Sequence, residues 1–146
     1  MPLINVTAPE GVLNKTEQQQ FISAVSDAVL RAERADPKDP AALSLTWAYY
    51  DERPAGTVYI GGQTSEQPPF VVAVTTPEGG ISAANKTLFM EEVGSIVNKA
   101  VGEYEGRLNH WINLHEVAEG SWGGAGQVFP LAGIQAAMNI KESGNE

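Results

Sequence analysis

The chain repeats itself, and the repeat limits its fold more than any other feature. Val6-Thr7-Ala8-Pro9-Glu10-Gly11 recurs as Val74-Thr75-Thr76-Pro77-Glu78-Gly79. Each copy follows an apolar run, Leu3-Ile4-Asn5-Val6 in the first and Phe70-Val71-Val72-Ala73-Val74 in the second. Asn-Lys-Thr comes next at 14–16 and again at 85–87. Trp47, five residues before Glu52, is matched by Trp111, five before Glu116, and Ala55-Gly56-Thr57-Val58 by Glu119-Gly120-Ser121-Trp122. A period of this length means that one supersecondary unit is used twice. The units cover approximately 2–62 and 69–126 within a single domain, 1–146, with a C-terminal tail at 131–146.

Each unit reads as strand, helix, strand. Leu3–Thr7 and Phe70–Thr75 are short β-branched runs closed by a Pro-Glu-Gly turn. The first helix is expected to begin near Asn14, with Glu17 completing a capping box. Phe21, Ala24, Val25, Ala28 and Val29 form its apolar face, as Phe89, Val93, Ile96, Val97 and Ala100 do in the second helix. Asp36-Pro37-Lys38-Asp39-Pro40 ends the first helix. Leu43, Leu45, Trp47 and Tyr49 alternate like a half-buried strand, and so do Trp111, Asn113 and His115. Two right-handed βαβ crossovers then give an α+β fold: a four-stranded mixed sheet with both helices on one face, plus short hairpins. The other face is expected to be bare and apolar, which predicts oligomerisation.

Composition removes several functional classes. No cysteine is present, so disulfides and thiolate chemistry are excluded. His110 and His115 lie five apart, a spacing that puts them on neither one helix face nor one strand face. No metal site and no cofactor are expected. A formal charge of −9, with nine scattered basic residues, argues against nucleic acid. No apolar run is long enough to span a bilayer and the first residues do not read as a signal peptide, so no membrane partner and a cytoplasmic location are expected.

With Pro2 directly after Met1, the two tandem units resemble the tautomerase superfamily. Pro54-Ala55-Gly56-Thr57-Val58-Tyr59-Ile60-Gly61-Gly62 resembles a stretch of its cis-3-chloroacrylic acid dehalogenase branch, and the Ile-Gly-Gly ending is similar to the 4-oxalocrotonate tautomerase hairpin. Trp111-Ile112-Asn113-Leu114-His115-Glu116-Val117 is similar to the late strand of the macrophage migration inhibitory factor branch. The resemblance spans roughly residues 2–130 and implies a homotrimer with catalytic proline amines near the subunit interfaces. It implies keto–enol proton transfer on a 2-oxo acid or related carbonyl compound, with the Pro2 amine as general base and acid once Met1 is removed. A free α-amino group has a pKa of about 7.7–8.0, and an apolar pocket lowers it by desolvation. Pro2 also has a plain reading, as the first residue of an edge strand.

The resemblance departs at the substrate clamp. Positions where better-studied members carry arginines hold Val12, Gly80, Trp47 and Trp111, and the helix position of the dehalogenase histidine holds Val29. Thr75–Gly80 contains no base, and Gly120–Gly126 offers no match for the water-activating glutamate. Dehalogenation or hydration of an unsaturated acid is therefore the disfavoured alternative, beside a non-catalytic member. The residues expected around the substrate are Trp111, Asn113, Trp122 and Arg53, with Trp47 read as filler and Ser121–Gly126 as a lid.

Overall fold

The computed structural model describes residues 1–141. Along the chain run β1 (Leu3–Pro9), α1 (Lys15–Ala32), α2 (Pro40–Ser44), β2 (Trp47–Arg53), β3 (Tyr59–Ile60) and β4 (Gln63–Thr64). The second half holds β5 (Phe70–Pro77), α3 (Ala83–Val101), β6 (His110–Val117), β7 (Gly123–Gly124), β8 (Gln127–Val128) and α4 (Leu131–Ala137). The four long strands form one mixed sheet in the order β2-β1-β5-β6. β1 and β5 are antiparallel at its centre, and each pairs in parallel with the outer strand of its own unit. This is the expected fold.

Alternation sets the two faces. Ile4, Val6 and Ala8 from β1 and Phe70, Val72 and Val74 from β5 turn inward and are buried. They meet Phe21, Val25, Ala28 and Val29 of α1 and Phe89, Val93 and Val97 of α3, forming the main core. Burying each of the valine, isoleucine and phenylalanine side chains contributes about 1.5–3 kcal/mol before entropy is charged against it. α1 starts where its capping box directs. Asn14 Oδ1 accepts the Glu17 N–H at 2.8 Å, and Glu17 Oε1 accepts the Asn14 N–H at 2.9 Å. In the second unit the cap is Ser82, which stands as far beyond Pro77 as Asn14 stands beyond Pro9. The second Asn-Lys-Thr is thus not the structural counterpart of the first. Asn85 lies inside α3 and donates to the Ala32 carbonyl at 3.1 Å.

The structure corrects three expectations. Leu43 and Leu45 do not belong to a strand: Asp39 caps the short α2, accepting the Ala41 N–H at 2.8 Å, and Pro40 opens it. The uncovered sheet face is mixed rather than apolar. Its rows read Trp47, Leu3, Thr75, His115; Tyr49, Asn5, Ala73, Asn113; and Asp51, Thr7, Val71, Trp111. The helix face takes most of the aliphatic side chains, which leaves asparagines and threonines among the aromatics. The segment read as a tail begins with α4, whose Ile134 and following Met138 pack on Leu30, Ala35 and Ala42 as a second small core. Glu119 caps α4 by accepting the Leu131 N–H at 3.1 and 3.2 Å. Residues 142–146 of the expected tail lie outside the described residues. Among the described residues no helix is long and apolar enough to cross a membrane.

Candidate active site

Strand direction decides where the two hairpins fall. β6 runs parallel to β5 and ends at Val117 beside Pro77, so the β7–β8 hairpin reaches over the start of β1. By the same logic β2 ends at Arg53 beside Pro9, and the β3–β4 hairpin reaches over the start of β5. Each hairpin therefore covers the other unit. Both have two-residue loops with positive φ, Gly61-Gly62 and Ala125-Gly126, the backbone twist that two-residue hairpins favour.

A cavity of about 370 Å³ opens under the β7–β8 hairpin. Met1, Pro2, Trp47, Trp122, Phe129 and Ile134 line it, together with Gly123 and Gly124 of the hairpin, and no charged side chain does. Pro2 is buried, and its carbonyl accepts the Trp47 N–H at 3.2 Å, which fixes the proline against β2. Trp47 is 62% exposed overall, and its indole N–H donates to the Ser44 carbonyl at 3.2 Å. Gly124 is required by close approach: a methyl added there would meet the Phe129 ring at 2.6 Å. α4 closes one side, a contribution that sequence reading missed. Its signal was available in Ile134 and Met138, four apart and preceded by Pro130.

A buried carboxylate stands beside the chain start. Glu33, 2% exposed, lies at the C-terminal end of α1; its Oε1 accepts the Thr76 hydroxyl at 2.7 Å. Its Oε2 lies 3.5 Å from the Met1 nitrogen, which also contacts Met138 Sδ at 2.7 Å. Burial raises the Glu33 pKa above the ordinary carboxyl value, against the pull of the ammonium and of Thr76. Burial likewise lowers the Met1 amine, against the opposing influence of Glu33. With Met1 attached, the Pro2 nitrogen is an amide.

The expected substrate residues separate. Trp122 lies in the Pro2 cavity, and so does Trp47, which sequence reading had treated as filler. Trp111 and Arg53 do not: they line a different cavity under the β3–β4 hairpin. The register explains the separation, because Trp111 pairs with Val71 while Leu3 pairs with Thr75 and His115. Asn113 stands in the middle row of the open sheet face and lines neither cavity. His110 turns toward the helices, with its Nδ1 2.6 Å from Asn109 Oδ1, whereas His115 is on the open face.

A repeated strand–helix–strand with a mixed sheet and a cavity at Pro2 can be compared with known proteins. No family model and no curated protein matches the sequence. Solved structures do match. A fused 4-OT, described as a wild-type asymmetric trimer, is 15% identical, with a TM-score of 0.71 over 86% of this chain and 94% of that one. The fold is that of the tautomerase superfamily. Pt0534 inactivated by 2-oxo-3-pentynoate shares the tautomerase fold at 20% identity and a TM-score of 0.70, over 86% of this chain and 94% of its own. So does N1, a member of the cis-3-chloroacrylic acid dehalogenase family, at 14% identity and a TM-score of 0.69, over 92% and 87%.

Proposed function

We propose that the chain is a tautomerase-superfamily isomerase in which Pro2, freed by removal of Met1, moves a proton between oxygen and carbon of an enol. The observation that carries this reading is the position of Pro2 at the wall of a cavity without charged side chains, lined by Trp47 and Trp122, on a tautomerase fold. Such walls disfavour a charged amine and favour the neutral base. The amine then takes the enol hydroxyl proton as a base and returns it to carbon as an acid, so the carbonyl forms and the amine is regenerated. Without an arginine in this cavity the substrate class is an aryl or otherwise apolar enol rather than a dicarboxylate. A homotrimer through the open sheet face belongs to this reading, supported by the trimeric fused 4-OT with the same fold.

The test joins intact mass to activity. A native protein lacking Met1 that converts an aryl enol to its ketone, and that loses this activity when 2-oxo-3-pentynoate adds to its N-terminus, fits the reading. A protein with Met1 retained does not. A second reading, a non-catalytic member, is favoured by one observation: the Met1 nitrogen is itself held by Glu33 and Met138.

A further inference from the structure

The geometry points to a second ligand site, for a small organic anion with a flat apolar body, in the cavity beneath the β3–β4 hairpin. This cavity, of about 770 Å³, is the pseudo-twofold counterpart of the one at Pro2. Phe70 holds the place of Pro2, one residue before Val71, whose partner is Trp111, as Pro2 precedes Leu3, whose partner is Trp47. Pro69, within the chain, lines this cavity through an amide nitrogen and offers no amine, and the chemistry of the walls differs. Arg53 and Arg107 both line the space, beside Tyr59, Ile60, Leu108 and Trp111.

Two of the nine basic residues thus converge on one cavity of a chain with net charge −9. Among the described residues neither guanidinium has a carboxylate partner, although acidic residues outnumber basic ones two to one. Arg107 is held in place. Its Nη2 donates to Ser65 Oγ at 3.3 Å and to the Gln67 carbonyl, and its guanidinium lies 5.0 Å from the Tyr104 ring centroid. Its Nη1 is buried without a hydrogen-bond partner among the described residues. That atom is closed to solvent, so Arg107 contributes its positive charge to the cavity, while the exposed Arg53 side chain supplies the free donors. A carboxylate matches the guanidinium fork of Arg53, and the face of Tyr59 on the hairpin, 63% accessible, offers a plane for an aromatic or unsaturated body. The site binds without carrying out the proposed proton transfer, and it stands independently of the role given to Pro2.

Calorimetric titration of the full chain with benzoate, against uncharged benzamide, tests the site. Benzoate is expected to saturate one site per subunit below about 1 mM, with benzamide weaker by about tenfold or more. Arg53→Gln, a change at an exposed side chain, should weaken benzoate by about tenfold while leaving the sedimentation coefficient unchanged. Trp122→Ala, in the other cavity, should leave benzoate binding unaltered. Equal binding of the two probes, no saturable benzoate binding, or loss of binding in Trp122→Ala would each overturn the site. So would an Arg53→Gln variant whose oligomer dissociates, since a neighbouring subunit would then be the occupant.

Discussion

Glu33 and Thr76 are joined by a hydrogen bond of 2.7 Å inside the protein, at the point where the end of α1 passes over the end of β5. The carboxyl has a raised pKa, chiefly through burial, so its contribution to stability is full below the ordinary carboxyl value and is lost as pH rises through the raised one. The depressed Met1 amine acts in the opposite sense, with full stability above its ordinary value and loss as pH falls through the lowered one. Glu33→Gln keeps an acceptor for Thr76 but cannot ionise. Urea denaturation at a series of pH values rising from the ordinary carboxyl value should therefore show a fall in stability for the parent chain that the variant lacks. An equally steep fall in both would remove Glu33 as its source.

Pro2→Ala should lower enol-to-ketone conversion by about a hundred- to ten-thousand-fold, the usual contribution of a positioned acid–base group. The fold and oligomer size should persist, because residue 2 precedes β1 and forms no part of the main core. Steady-state kinetics beside sedimentation checks both halves. Activity that survives the change would put the base elsewhere.

In the Pro2 cavity, a lining without charged side chains predicts selectivity. An aryl enol should be converted with a higher kcat/KM than a dicarboxylate dienol, and Trp122→Ala should erode that preference more than it alters the dicarboxylate rate. Comparable values for the two substrates in the parent chain would count against the assignment.

Asn14→Ala removes the α1 cap, which follows the C-terminal end of β1, whereas Pro2 precedes its start. It should cost about 1 kcal/mol in chemical denaturation and leave aryl-enol turnover at the parent level. A large kinetic effect would mean that the end of α1 is coupled to the site.

The open sheet face supplies a further check. Tyr49 stands in its middle row and is 56% exposed, so Tyr49→Arg should split a homotrimer that uses this face. Light scattering of parent and variant reads the result directly; an unchanged mass for both, at monomer size, would end the trimer reading.

The repeat made the fold legible. Val6–Gly11 and Val74–Gly79 marked equivalent strand ends, and Asn14 with Glu17 marked a helix start, because both are local signals. The lining of the candidate cavity was legible only in part. Pro2 and Trp122 were singled out, but they come together through a hairpin that crosses to the other unit, which no local pattern records. Trp47 and Trp111 look alike in sequence, yet the antiparallel pairing of β1 with β5 sends them to opposite ends of the sheet. Glu33 was passed over because a glutamate at the end of a helix is ordinarily solvated. Its burial depends on Thr76 and the chain start, which are distant in sequence.

The crossed hairpins have a consequence for how the chain can be divided. A cut in the segment 65–69 would leave one fragment with Pro2 and Trp47 and another with Trp122, Phe129 and α4. Neither fragment would contain a complete pocket, and the same holds for Arg53 and Arg107 on the other side. Though alike in sequence, the halves are not spare copies of each other. They are complementary parts, and only mixing the two fragments can restore either cavity.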